Sequence, residues 1–155
     1  MEQKEIKLDE KVEVFNIATH QVGYAQISGG NNTRFGANGT VRVRREEIVQ
    51  QVQNGNRLYV GTDGRGSHAT LIIGDKATRE LVGFEGDDIK EQNVLTEDKV
   101  KKIFALKTFP AFEKNITDAV VTRNEKLYLK QLIKKLKFNE HDKIVFCEKH
   151  CKWHF

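Results

Sequence analysis

The chain is poor in the residues that make covalent frameworks. It has one proline and two cysteines, Cys147 and Cys151, four positions apart. Two neighbouring thiols cannot form a disulfide framework, so the sequence predicts a fold held by packing in a reducing compartment. No apolar run approaches the ~20 residues that span a bilayer, so no membrane partner is expected. No apolar segment follows Met1-Glu-Gln-Lys-Glu5, so no secretory leader is expected. There is no Gly-x-Ser-x-Gly, no His-Glu-x-x-His and no P-loop lysine. His68-Ala-Thr70 has no second His-x-Thr to complete a two-histidine phosphoesterase pair, because His20 is followed by Gln21-Val22. These gaps predict a protein that is not an enzyme and carries no cofactor.

What is present is 38% hydrophobic and 31% charged over 155 residues, enough for one modest core or two small ones. The charge is unevenly spread. Residues 98–155 hold 14 Lys and Arg against 7 Asp and Glu, and residues 1–97 hold 12 against 15. A basic C-terminal half suits nucleic acid or an acidic protein surface, with a solvated lysine face as the plainer alternative.

The densest run of signals is Glu46–Phe84. Glu46, Glu47, Ile48, Val49 and Val52 predict a helix with acids in its first turn, where the helix dipole favours them. Asn54-Gly55-Asn56 stops it. Leu58-Tyr59-Val60 reads as a short strand, Thr62–Ser67 as a polar loop and Ala69–Ile73 as a buried strand. Asp75 stands where an N-cap belongs, before a helix over 76–82 that Gly83 closes.

Before this run, Val12–Ile17 and Thr40–Arg44 alternate as strands with one apolar face. Val22–Ile27 and Thr33–Phe35 read as strands between glycine turns. After it, Asp87–Asn93 is polar. Thr96 caps a helix, Phe109-Pro110 opens a second, and Thr122 with Glu125 forms a capping box for a third. Asn139 is the expected cap of a last helix through Ile144, Val145 and Cys147. The fold class is therefore α+β. An antiparallel β-rich half, a small meander or partial barrel with short helices over 1–86, joins a basic bundle of three to four helices over 96–155 through a linker at 87–95.

Three constellations bear on chemistry. Arg42, Arg44 and Arg45 cluster on one strand or its end, with Arg34 and Tyr24 as possible neighbours, and Lys126, Lys130 and Lys134 recur every fourth residue on a helix. Both sets suit phosphates, so nucleic acid is the alternative partner. Cys147, His150, Cys151 and His154 are zinc-ligand types at helical spacing. Structural zinc usually clamps two separated pairs, so packing of the thiols as small hydrophobes competes with metal binding. Gly61-Thr-Asp-Gly-Arg-Gly66 leads into a strand, where a phosphate loop leads into a helix, so a hairpin loop is the better reading, and a small nucleotide-binding or phosphodiesterase protein using this loop and His68 is the least favoured alternative.

Three segments carry a resemblance: Val14-Phe-Asn-Ile-Ala-Thr-His20-Gln-Val-Gly-Tyr24, Ile73-Gly-Asp-Lys-Ala-Thr-Arg79-Glu-Leu-Val-Gly-Phe84 and Lys135-Leu-Lys-Phe-Asn-Glu-His-Asp-Lys143-Ile144. With Thr96-Glu-Asp-Lys-Val100, they resemble small proteins of the structural-gene region of tailed bacteriophages of Gram-positive hosts. The likeness covers most of the chain as a layout and contains no catalytic motif. The basic tail with its two cysteines departs from it. The resemblance implies a virion-associated or assembly role, in the virion and in the host cytoplasm during assembly. Other phage structural proteins would be the partners; separately, a small β surface with exposed edges favours a homo-oligomer. Strands such as Val12–Ile17 or Thr40–Arg44 would then serve as edges that add to a partner sheet.

Overall fold

The structure is a computed structural model and describes residues 6–88 and 92–152. It divides into two compact units, Met1–Gln92 and Asn93–Phe155.

The first unit contains β1 (Lys11–Asn16), β2 (Val22–Ala25), β3 (Asn32–Phe35), β4 (Thr40–Arg44), α1 (Arg45–Gln53), α2 (Arg57–Val60), β5 (Leu71–Ile73) and α3 (Lys76–Leu81). Along β1 the alternation sends Val12, Val14 and Asn16 inward and leaves Lys11 and Glu13 exposed. β1 is the middle strand of an antiparallel sheet ordered β4-β1-β5, with Lys11 opposite Arg44 and Val14 opposite both Val41 and Ile73. The expected edge role of Val12–Ile17 is thereby corrected, since both sides of β1 are paired. β2 and β3 form a separate hairpin sheet with Val22 opposite Phe35. Val14, Phe35, Ile48, Tyr59 and Leu71 lie at the centre of the core, none more than 1% exposed. Burial of each aliphatic or phenylalanine side chain among them stabilises by about 1.5–3 kcal/mol relative to exposure.

Asn16 explains why the β1 alternation stops at Ile17. It is fully buried. Its amide donates to the carbonyls of His20 (3.1 Å) and Gly36 (3.0 Å), and its oxygen accepts from the Ala18 N–H at 2.9 Å. The side chain ties the end of β1 to the return of the β2–β3 hairpin, as a buried polar group must be tied.

Leu58-Tyr59-Val60 is a turn of helix, not a strand. Asn56 decides this, because its side chain accepts from the Leu58 N–H and its carbonyl from the N–H groups of Tyr59 and Val60. Asp75 caps α3 as expected, bonding the Thr78 N–H at 3.0 Å.

The second unit holds α4 (Glu97–Phe104), α5 (Phe109–Ala119), α6 (Arg123–Lys135) and α7 (His141–Cys151). Thr96 caps α4, proline enters the first turn of α5, and the Thr122–Glu125 capping box opens α6. The cap of α7 falls on Glu140 instead of Asn139 and makes no side-chain capping bond. Phe104 stacks on Phe138 with ring centres 4.1 Å apart and meets Phe112 edge-on. Lys143 donates to the carbonyls of Phe104 and Leu106, closing the C-terminal end of α4 where a cation is favoured. Among the described residues no helix is long and apolar enough to cross a membrane.

Candidate functional site

The hydrogen-bond register fixes which backbone groups of the first unit remain open. Asn16 N–H donates to Gly39 and Arg45 N–H to Glu10. In the antiparallel register these are hydrogen-bonded pairs, as are Val14 with Val41 and Val12 with Val43. Thr40, Arg42 and Arg44 therefore direct their amides away from β1, to the outer side of the sheet. By the same reasoning the bond from Gln26 N–H to Asn31 makes Asn32 and Arg34 the outward-facing residues of β3.

The outer edges of β5 and β2 are partly covered. Arg79 donates to the Ile73 carbonyl at 2.7 Å, and Gln51 donates to the Ala25 carbonyl at 3.0 Å. β3 and β4 follow one another in sequence but belong to different sheets. A groove of about 500 Å³ lies between them, and both edges line it.

The groove is cationic. Among the described residues, Lys11, Arg34, Arg42 and Arg44 line it against a single carboxylate, Glu47. Glu47 is only 3% exposed and its oxygens accept the Ile27 N–H, so it is committed to the hairpin turn. Lys11 and Arg44 stand directly opposite each other on neighbouring strands, an arrangement that repels, while Glu13, which does not line the groove, stands opposite Arg42. Arg44 reaches Glu46 only at 3.8 Å, and Arg42 contacts the Lys11 carbonyl at 3.3 Å. No lining residue among those described is aromatic.

Two of the three clustered arginines belong to this groove, and the third does not. Arg45 is 4% exposed. Its Nε donates to Thr78 Oγ1 and its Nη2 to Asp75 Oδ2, each at 2.9 Å, and its Nη1 donates to the Lys7 carbonyl at 2.7 Å. It locks the end of β4 to α3 and the N-terminal segment, so it is withdrawn from the nucleic-acid set. The signal was in the sequence: Arg45 shares parity with Val41 and Val43, whereas Arg42 and Arg44 share the opposite face. Lys11 was missed because nothing local reveals that it faces Arg44 across the sheet.

Lys126, Lys130 and Lys134 lie on α6, the first two half-buried and the last exposed. Cys147 and Cys151 are buried in α7, and burial pushes the Cys147 thiol up to about 12. The His150 ring stacks on Phe146 and its Nε2 lies 2.6 Å from the Val120 carbonyl. His154 lies outside the described residues. Among the described residues no three His, Cys, Asp or Glu side chains converge as a metal site.

Most backbone donors of the glycine loop are already taken within it or by the preceding helix. The N–H groups of Gly61, Thr62 and Gly66 go to backbone carbonyls, and those of Arg65 and Ser67 go to Asp63. Gly61 has φ 68°, and a Cβ there would run into the Ser67 carbonyl. The loop is a closed turn, not an open phosphate cradle.

Beneath the hairpin, the Tyr24 and Tyr59 hydroxyls meet at 2.5 Å. Burial pushes the Tyr24 phenol up to about 12 and raises that of Tyr59 further. The pair is a buried, satisfied polar contact in a core wall. No protein-family model, no curated protein and no solved structure matches the chain.

Proposed function

We propose that this is a non-enzymatic virion or assembly protein of a tailed bacteriophage, working through protein–protein contacts made by its N-terminal unit. The open, cationic edge of β4 carries the reading. An unpaired strand offers main-chain donors and acceptors in a fixed register, and such an edge recruits a partner strand. The resemblance of three sequence segments to phage structural-locus proteins supports the setting.

The second reading is a nucleic-acid-binding accessory protein. Arg34, Arg42 and Arg44 favour it, since guanidinium groups pair well with phosphates. The absence of aromatic lining residues among those described counts against single strands, which are held largely by base stacking.

Light scattering on the purified chain separates the two, alone and with short single- and double-stranded DNA at low salt. The protein-contact reading expects a mass that DNA does not change. A mass that rises with DNA and returns at high salt overturns it, because phosphate contacts weaken steeply with salt.

A further inference from the structure

We infer that the groove between β3 and β4 takes an extended acidic segment of a partner protein, which adds to β4 as a further strand with carboxylates at alternate positions. This rests on the protein-contact reading above and names the chemistry of the partner.

Three observations define the occupant. The amides of Thr40, Arg42 and Arg44 face outward on an edge strand whose only strand neighbour among the described residues is β1. An added strand would take up these groups without breaking a bond of the fold. Next, Arg42 and Arg44 project on one face of β4, while Val41 and Val43 turn to the other and pack with the core. A strand beside β4 places successive side chains on these same two faces, so acidic and apolar residues must alternate in it, with carboxylates about 6.8 Å apart. Finally, Lys11 and Arg34 add charge of the same sign, and Glu47, the one carboxylate among the described lining residues, is already bonded.

The charge also disfavours a second copy of this chain. Antiparallel pairing of β4 with its own copy would bring the arginines of both strands together, and like charges facing across a sheet destabilise it. A nucleic acid would satisfy the cations but would leave the strand's alternating donors and acceptors without a matching partner.

The test uses the isotope-labelled full chain and an amide-capped Val-Asp-Val-Asp-Val-Asp peptide, followed through the backbone amide spectrum. The inference expects shifts centred on residues 40–44. Binding should weaken about tenfold or more in the Arg42→Glu/Arg44→Glu variant, a loss of about 1.4 kcal/mol or more. A Val-Lys-Val-Lys-Val-Lys peptide should leave these residues unmoved.

Two further peptides, N-methylated on either the valines or the aspartates, test strand addition on the unaltered protein. At least one must lose binding, because one set of amides faces β4. If both bind as well as the parent, strand addition is refuted. If the acidic peptide leaves residues 40–44 unmoved while DNA leaves the protein's mass unchanged, this inference falls and the protein-contact reading stands. If hexathymidylate shifts residues 40–44 at lower concentration than the peptide, both fall.

Discussion

Replacing Arg45 with methionine tests whether this arginine belongs to the fold or to a binding surface. Methionine keeps most of the aliphatic stem and removes every donor. The lost contacts are those to Thr78, Asp75 and the Lys7 carbonyl, with a longer pairing to Glu10 at 3.4 Å. Breaking a buried ion pair from one side costs about 3–5 kcal/mol. The Asp75 and Glu10 side chains are 31% and 56% exposed, so water compensates part of that loss. Asp75 also keeps the N–H and hydroxyl of Thr78, at 3.0 and 2.6 Å. The net cost should be about 2–3 kcal/mol.

Urea unfolding followed at the Val12 and Val43 amides reports on this unit alone. With an m value near ~1 kcal/mol/M, the midpoint should fall by about 2–3 M. A fall below about 0.5 M would refute the placement and return Arg45 to the solvent-facing set. Thr78 first, and then Arg45, hold the Asp75 carboxyl below its usual range. That contribution is fully present above the unfolded carboxylate value of about 3.9 and is lost as pH falls through the lower folded value. Arg45→Met should therefore flatten part of the acid destabilisation below about pH 4.

Four other outcomes follow from the geometry. Tyr24→Phe leaves the buried Tyr59 hydroxyl without its partner and should cost about 1–3 kcal/mol in the same urea assay. Burial raises the phenols of Tyr24, Tyr59 and Tyr128, so phenolate absorbance of the native chain should develop at higher pH than that of the urea-unfolded chain. Because the folded values lie above the unfolded one, their contribution is intact below about pH 10 and is lost as pH rises beyond it, giving alkaline unfolding with late tyrosine ionisation. Thr122→Ala removes one half of the α6 capping box and should lower stability by about 1 kcal/mol in thermal unfolding. Cys147 should resist a thiol reagent near pH 8 in the native chain and react once urea unfolds it, since it is fully buried with its thiol pushed up to about 12.

Local chemistry was legible in the sequence and tertiary register was not. The caps at Asp75, Thr96 and Thr122 are settled within four residues, and the structure places each as expected. Leu58-Tyr59-Val60 was misread because three apolar residues suit a buried strand or a buried helical turn. Asn56, two residues before, held the answer. The alternation of β1 looks the same for a middle or an edge strand, so its place in the sheet had to come from the pairing with β4 and β5. The groove was half legible: Arg42 and Arg44 announce themselves by alternating with valine. Lys11 joins them only because Lys11 and Arg44 are opposite in register across 33 residues of chain. The Cys/His tail looked like a ligand set because helical spacing groups its residues. Among the described residues of that tail, the two thiols are buried and the His150 ring lies against the Val120 carbonyl.

The most direct test of the open β4 edge is residue-resolved amide hydrogen exchange on the free, full-length chain. The account predicts alternating protection: slow exchange at Val41 and Val43, whose amides face β1, and fast exchange at Thr40, Arg42 and Arg44, whose amides face the groove. Uniform slow exchange from Thr40 to Arg44 would mean that the edge is already covered, and would contradict the proposal that it awaits a partner strand.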